Sequence, residues 1–248
     1  MPISPNQGPT SGGTTVTITG VNLINAISVS FGSNLATITS NTPTSITVIS
    51  PSGCGVVDVV VKTNGGTSNS LDFFYISPPS FSSMSANSGP TFGGNTVDLF
   101  GRYLSTATNV SFGSNNAVPT IISDSQISVA VPAGTSAGTV SVTITTTGGV
   151  ISGSNYRYVD APTISTLSPS SGTVDGGTSV TITGTNLSTT SSVTFGGVLA
   201  SFGVINSNTV VAVTPPGGST GPVNVTITTT GGNVTETDGY TYSASGGI

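Results

Sequence analysis

Few side chains in this 248-residue sequence could carry out acid–base or nucleophilic chemistry. It contains no histidine, a single cysteine, three basic residues and eight carboxylates. A serine or threonine nucleophile needs a neighbouring base to take its proton, and Lys62 is the only lysine. Paired-carboxylate catalysis needs two carboxyl groups that face each other, whereas these carboxylates are scattered along the chain. The sequence therefore predicts no catalytic residues and favours a protein that is not an enzyme.

The acidic pair Glu236 and Asp238 is the best candidate for ion binding. Calcium takes about six to eight oxygen ligands, usually including several clustered carboxylates. Two carboxylates in a predicted loop fall short of that number. We expect solvated charge at this point, no metal site and no cofactor.

The thiol of Cys54 is the remaining reactive group. Because it is the only cysteine, no disulfide can form within one chain. It lies in the predicted loop before the strand around Val57, where an exposed thiol could form an intersubunit disulfide. The alternative, which we favour, is an unreactive and partly buried thiol.

The charge balance excludes several partners. With three basic residues and a net charge of −5, the chain lacks the basic surface that binds nucleic acid or an anionic membrane. It also lacks the roughly 18 consecutive apolar residues that membrane insertion requires. The first ten residues do not resemble a secretory signal, so export would use a removed signal or another route.

An internal repeat dominates the sequence. A segment that begins with glycine and continues through a Gly-Gly pair occurs three times, at Gly8, Gly89 and Gly172, with spacings of 81 and 83 residues. Each copy continues to an alternating stretch, then a second Gly-Gly pair, then two alternating aromatic residues. The alternating residues are Val57, Val59 and Val61; Val140, Val142 and Ile144; and Val223, Val225 and Ile227. The closing aromatics are Phe73 and Tyr75, Tyr156 and Tyr158, and Tyr240 and Tyr242.

This pattern predicts three β-sandwich domains. Alternation with a period of two turns one face of each strand inward, and the Gly-Gly pairs supply turns that need positive φ. Turn signals about every 8–12 residues are typical of a sandwich. We place domain 1 at residues 1–77, domain 2 at 78–160 and domain 3 at 161–248.

The repeat resembles the IPT/TIG family of immunoglobulin-like domains. The motif is Pro-x-Ile-x-x-Leu-x-Pro-x-x-Gly-x-x-x-Gly-Gly-x-x-Val-x-Ile-x-Gly-x-x-Leu, which is complete in residues 162–187. Domain 2 departs from it with Phe81, Met84 and Ala86. The resemblance implies an all-β chain of three tandem immunoglobulin-like (IPT/TIG) domains but does not specify function, because this scaffold serves many purposes. Short proline-containing linkers favour an extended rod.

The two ends of the sequence fit each other in the register of the repeat. Met1 aligns with Ser82, so domain 1 lacks the first residues of its opening strand. Ile248 follows Tyr242 by the same six positions that separate Phe81 from Tyr75. We therefore expect head-to-tail self-association, in which the tail of one subunit docks beside the opening strand of the next. The residues concerned are Ile3, Tyr242, Ser243, Ala244, Ser245, Gly246, Gly247 and Ile248. Excision from a longer array and coincidence are the alternatives.

A ligand-binding function is the second hypothesis. Tyr103 takes the place of Asn22 and Asn186 and could form, beside Arg102, an exposed contact for a glycan; the alternative is an ordinary edge aromatic.

The first functional hypothesis is a structural subunit of an extracellular filament on a microbial cell or spore. Its main partner would be another copy of itself, and a surface anchor protein or glycan would be a further partner. The alternative is an adhesin or a receptor- or glycan-binding module of a cell or virion surface. The third and weakest hypothesis is an accessory part of an extracellular enzyme.

Overall fold

The computed structural model describes residues 1–245, which form strands and turns and contain no helix. Contacts group the chain into two compact units. The first comprises Met1–Ser85, Thr96–Val129 and Ser141–Ser154, and the second comprises Ala86–Asn95, Ala130–Val140 and the chain from Asn155 onwards. Domain 1 lies in the first unit and domain 3 in the second, whereas domain 2 contributes to both. The all-β prediction is confirmed, and the extended rod stays a prediction.

Domain 1 consists of two sheets. One has the order β1-β3-β7-β6, and the other has the order β2-β10-β8-β4-β5, with β9 paired to β8. The strands are β1 (Ile3–Ser4), β2 (Gln7–Pro9), β3 (Thr15–Thr19), β4 (Ala26–Phe31), β5 (Asn34–Leu35), β6 (Thr37–Asn41), β7 (Ser45–Ile49), β8 (Gly55–Thr63), β9 (Gly66–Thr67) and β10 (Leu71–Ile76).

Domain 2 repeats this topology, with the sheet orders β11-β13-β17-β16 and β12-β19-β18-β14-β15. Its strands are β11 (Ser80–Met84), β12 (Ser88–Pro90), β13 (Thr96–Arg102), β14 (Ala107–Phe112), β15 (Asn115–Ala117), β16 (Thr120–Ser123), β17 (Gln126–Ala130), β18 (Gly138–Thr146) and β19 (Gly149–Val159).

Domain 3 has the sheet orders β20-β22-β26-β25 and β21-β28-β27-β23-β24. Its strands are β20 (Thr163–Ser168), β21 (Ser171–Thr173), β22 (Ser179–Thr185), β23 (Thr190–Phe195), β24 (Val198–Leu199), β25 (Ser201–Asn206), β26 (Thr209–Val213), β27 (Gly221–Thr229) and β28 (Gly232–Ser243).

The alternating residues form the cores, because successive side chains of a strand point to opposite faces of its sheet. Val59 and Val61 of domain 1 and their equivalents Val225 and Ile227 of domain 3 are buried. Aromatic rings complete these cores with edge-to-face contacts, which aromatic pairs favour. The ring centroids lie 5.0 Å apart in Phe31–Phe73, 5.1 Å in Phe73–Tyr75, and 5.2 Å in both Phe195–Tyr240 and Tyr240–Tyr242.

The last tyrosine of each domain closes the sandwich through its hydroxyl group. Tyr75, Tyr158 and Tyr242 donate hydrogen bonds of 2.7 Å to the carbonyl oxygens of Pro51, Pro132 and Pro215, respectively. Burial raises the pKa of all three hydroxyl groups above the ordinary value, because a low-polarity surrounding disfavours the phenolate. Each bond ties the end of a domain to the loop that precedes β8, β18 or β27, the strands that carry the alternating valine and isoleucine residues.

The two kinds of Gly-Gly pair differ in backbone conformation. In the opening pair of domain 3, both Gly176 and Gly177 have positive φ, whereas in the hairpin pair Gly231–Gly232 positive φ occurs only at the second glycine. Domains 1 and 2 follow the same rule. The expectation of positive φ is therefore confirmed at three of the four glycines in each domain, and the first glycine of each hairpin pair must have another role.

The penultimate aromatic allows a matched test of the polar atoms in the core. The buried hydroxyl of Tyr240 has no hydrogen-bond partner among residues 1–245, whereas Asn95 donates a 2.9 Å bond to the equivalent hydroxyl of Tyr156. Domain 1 has Phe73 here. We expect Tyr240→Phe to raise the free energy of unfolding by about 1 kcal/mol, because an unpaired buried polar group is costly. Tyr156→Phe should lower it by about 1 kcal/mol. Urea denaturation of both variants measures the difference, and destabilisation by Tyr240→Phe would contradict it.

Candidate self-association site

The acidic candidates Glu236 and Asp238 are both exposed and lie on β28, so the predicted loop is wrong here. Glu236 lies opposite Val225 in the ladder, and the backbone N–H of Asp238 donates to the side-chain oxygen of Asn224. Within residues 1–245 no three acidic or cysteine side chains come close enough to hold a metal ion.

Cys54 lies on an exposed loop beside the closing tyrosine of domain 1. Its side chain is exposed, so the favoured interpretation of a partly buried thiol is wrong. The preceding residue explains this placement, because a Cβ built on Gly53 would overlap the ring of Tyr75. That ring fills the space beneath the loop and leaves the thiol outside. The intersubunit disulfide stays a prediction.

Arg102 and Tyr103 are exposed at the end of β13. The carboxylate of Asp124 holds this turn, since it accepts a 2.7 Å bond from the Ser105 hydroxyl and a 3.2 Å bond from the backbone N–H of Tyr103. The bond from Ser105 is the largest cause of a lowered pKa at Asp124. Tyr103 itself is 46% exposed and has a φ of +58°. Positive φ is unfavourable for a bulky residue, so this aromatic is presented to solvent at a conformational cost.

The equivalent residues make that cost testable. Asn22 and Asn186 have φ values of +58° and +57°, and asparagine tolerates this conformation better than tyrosine does. We expect Tyr103→Asn to raise the free energy of unfolding by roughly 0.5–1 kcal/mol, as measured by urea denaturation. Asn186→Tyr is the reverse substitution and should lower it by a similar amount. If Tyr103→Asn destabilised the protein, the side chain of Tyr103 would have stabilising contacts that outweigh the backbone strain.

The residue after the closing tyrosine is anchored in the same way in all three domains. Ile76, Val159 and Ser243 each pair in parallel with the strand that follows the domain's opening segment. Their carbonyl oxygens accept hydrogen bonds from the backbone N–H groups of Thr10, Thr91 and Val174, at 3.2, 2.9 and 2.9 Å. The exit of domain 3 therefore has the same backbone anchoring as the two linkers.

The next residue of each linker lies on a Gly-Gly hairpin. A Cβ built at Gly148 would overlap the carbonyl oxygen of Ser77, and a Cβ built at Gly231 would overlap that of Asp160. Both glycines are buried. The first glycine of these hairpins is thus required because a main-chain carbonyl lies against it, not because of its own φ.

The same hairpin is open to solvent in domain 1. A Cβ at Gly65 would meet only the Thr63 hydroxyl, at 3.7 Å, and one at Gly66 would meet nothing within 4 Å. Both glycines are exposed. The two glycines line a groove of about 720 Å³. The groove is also lined by Met1, by residues 21–25 around Asn22 and by residues 63–69 around the hairpin. Domain 1 therefore has an open groove at the hairpin that the linkers cover in domains 2 and 3.

The opening strand of domain 1 is short. It consists of Ile3 and Ser4, and Ile3 lies opposite Ile18, as Leu167 lies opposite Ile182 in domain 3. Gly20 directly follows the partner strand β3, and the Met1 side chain lies 2.8 Å from a Cβ built on Gly20. In domain 3 the carbonyl oxygen of Thr163 lies at the equivalent glycine.

Apart from Ile3, the predicted self-association residues divide into three groups. Tyr242 is buried and donates a hydrogen bond to the carbonyl oxygen of Pro215, so its side chain belongs to the core of domain 3. Ser243, Ala244 and Ser245 are exposed, and the Ser245 hydroxyl donates to the carboxylate of Asp175. Gly246, Gly247 and Ile248 lie outside the described residues.

The sequence pattern does not distinguish Gly65 and Asn22, which line this open groove. The repeated Gly-Gly pair is visible in the sequence, but the pattern accounts for its first glycine only by turn geometry. A negative φ at that glycine would have been the signal of another role, and φ cannot be read from residue types.

None of the described residues forms a helix of the length and apolarity that would span a bilayer.

Comparison with known proteins agrees with the repeat. The family model described as IPT/TIG domain matches residues 1–75, 79–159 and 162–244.

Three solved structures are similar to the chain. The extracellular region of plexin A4 is 21% identical, with a TM-score of 0.48, over 91% of this chain and 22% of that one. The Bacteroides ovatus glycan-utilisation protein SGBP-B, in complex with a mixed-linkage heptasaccharide, is 20% identical with a TM-score of 0.30 over 97% and 65%. The Escherichia coli adhesin FdeC is 15% identical with a TM-score of 0.36 over 95% of both chains. The chain thus spans less than two thirds of the plexin and SGBP-B chains.

Three consecutive family matches cover nearly all of the sequence, and their limits fall at the linkers that follow Tyr75 and Tyr158. The chain belongs to the IPT/TIG domain family.

Proposed function

We propose that this chain is a non-enzymatic structural subunit that assembles head to tail with copies of itself outside the cell. One observation carries the proposal: the exit of domain 3 at Ser243 is anchored like the linkers at Ile76 and Val159. A linker of this geometry leads from one domain into the next. The exit of domain 3 is therefore suited to entering domain 1 of another copy.

A contact of this kind produces a filament. The donor surface lies at the end of domain 3 and the acceptor surface on domain 1, so each subunit can use both at once. Such heterologous contacts extend without limit unless the rotation between subunits closes a ring.

The tail alone offers too little area for a stable joint, because specific interfaces bury about 1,200–2,000 Å². At the Gly-Gly hairpin of domain 3, residues outside the linker also make contacts. The Phe92 ring lies 3.1 Å from a Cβ built on Gly232. We expect similar face contacts between copies. Charged residues make up only 4% of the chain, so little electrostatic repulsion opposes association.

The proposed location is the surface of a microbial cell or spore, with a surface anchor protein or glycan as a further partner. A virion surface is the alternative location. In either place a subunit without internal disulfides depends on its three cores for stability, and each domain has a set of buried apolar side chains within residues 1–245.

Adhesion through a bound glycan is a second candidate function, favoured by one observation. Tyr103 is held exposed at positive φ beside Arg102, where the other two domains have asparagine. Strained residues of this kind often occur at binding sites. Loss of glycan-array binding on Tyr103→Ala would support this function.

Electron microscopy and sedimentation of the purified chain test assembly. We expect linear polymers that lengthen with protein concentration. A variant that lacks residues 244–248 keeps Ser243 and its bond to Val174, so it should fold, but it should remain monomeric. Tyr103→Asn, which alters neither end, serves as the control and should polymerise normally. The proposal is wrong if the full chain stays monomeric, or if the shortened variant forms the same polymers.

A further inference from the structure

We propose that the groove beside Gly65 and Asn22 is the acceptor site for residues 243–245 of a second copy. This inference rests on the proposed function and identifies the surface that receives the tail. It follows from contacts that the chain makes with itself at the other two hairpins.

A main-chain carbonyl group covers the hairpins of domains 2 and 3. Counting from the closing tyrosine, Ser77 and Asp160 occupy the second position, and Ala244 occupies that position after Tyr242. Since the carbonyls of Ser77 and Asp160 lie against Gly148 and Gly231, the carbonyl of Ala244 would lie against Gly65. A side chain larger than hydrogen cannot be accommodated at that contact.

Asn22 provides a side-chain donor at the edge of the groove. In the second unit, the amide of Asn186 donates a 2.8 Å hydrogen bond to the carbonyl oxygen of Ala161, the third residue after Tyr158. Asn22 holds the equivalent place in domain 1 with the same positive φ, and it is exposed. Ser245 is the third residue after Tyr242. The amide of Asn22 would therefore donate to the carbonyl oxygen of Ser245.

The shape and the hydrogen-bonding groups of the groove identify its occupant. The groove fits an extended segment that offers two successive carbonyl groups and small side chains. Ser243, Ala244 and Ser245 provide both features, and the bonds from Val174 to Ser243 and from Ser245 to Asp175 hold that segment in place on domain 3. A preorganised segment loses little conformational entropy on binding. The repeat therefore indicates that the occupant of the groove is a second copy of this chain.

Two variants separate the donor from the acceptor. Gly65→Val removes the acceptor, and it should not disturb folding, because only the Thr63 hydroxyl lies near the new Cβ. Deletion of residues 244–248 removes the donor. Each variant alone should be monomeric by mass photometry, whereas an equimolar mixture should form a discrete dimer with a single joint. Asn22→Ala should weaken polymerisation, with a critical concentration raised about tenfold, as expected for a lost hydrogen bond to a desolvated carbonyl.

Gly153→Val is the matched control, because Gly153 is exposed, has ordinary φ, and would meet nothing within 4 Å with a Cβ. This variant should polymerise like the unaltered chain. Polymers of undiminished length from Gly65→Val would overturn the acceptor site while leaving head-to-tail assembly intact. Absence of polymers from the unaltered chain would instead overturn the proposed function. A mixture that stays monomeric, although the unaltered chain polymerises, would also exclude this groove.

Discussion

Phe195→Ala is expected to lower the free energy of unfolding of domain 3 by about 3–5 kcal/mol. The ring is 1% exposed, belongs to the core of domain 3 and makes an edge-to-face contact with Tyr240 at 5.2 Å. Removing it costs both the transfer free energy of the ring and the contacts of the side chains that line the cavity. A typical domain is stable by only about 5–15 kcal/mol, so the loss is a large fraction of the total.

Phe202→Ala is the matched control for this substitution. It removes the same atoms from the same domain, but Phe202 lies on the edge strand β25 and is 36% exposed. We expect its effect to stay below about 1 kcal/mol. Hydrogen exchange of peptides from β23 and β27 reports domain 3 separately from the other domains, which matters because a three-domain chain need not unfold in one transition. Equal acceleration of exchange in the two variants would contradict the assignment of Phe195 to the core.

The cores could be predicted from the sequence because burial in a strand repeats locally. Val59 and Val61 stand out as alternating apolar residues, and a period of two places them on one face whatever surrounds the domain. The same argument holds for Val225 and Ile227. The strand register also repeats, because Ile3 lies opposite Ile18 as Leu167 lies opposite Ile182.

Loop exposure could not be predicted in this way. Cys54 is exposed because the ring of Tyr75, about twenty residues later, lies under Gly53. That contact depends on tertiary packing, which residue types in the loop do not report. Tyr103 is different, since asparagine at both equivalent positions is a recognised signal of positive φ. The sequence therefore does carry a signal for the positive φ of Tyr103, through the equivalent residues of the other two domains.

The hairpin glycines show most clearly that a local sequence pattern cannot predict contacts between distant segments. Gly65, Gly148 and Gly231 occupy the same position of the same turn, yet the first is exposed and the other two are buried. Their local sequences are nearly equivalent, so no local rule distinguishes them. The difference arises from the linker that precedes domains 2 and 3, which is a contact distant in sequence.

Gly176→Ala is expected to destabilise domain 3 strongly, with a loss of more than about 3 kcal/mol in the free energy of unfolding. Two effects add. Gly176 has a φ of +77°, which costs an alanine roughly 1–2 kcal/mol. A Cβ there would also lie 2.6 Å from the carbonyl carbon of Pro215. That backbone cannot move easily, because Pro215 accepts the hydrogen bond of the Tyr242 hydroxyl.

Gly177→Ala separates the two effects. Its φ is +79°, almost the same, but nothing lies within 4 Å of a Cβ built there. It should therefore cost only the conformational part, about 1–2 kcal/mol, and the difference between the two variants in urea denaturation measures the clash with Pro215. The same contrast should hold in domain 1, where a Cβ on Gly12 would lie 2.5 Å from the carbonyl carbon of Pro51 and one on Gly13 would meet nothing. Equal losses at Gly176 and Gly177 would mean that backbone conformation alone requires the pair, and that the closing tyrosine does not fix the loop against which Gly176 packs.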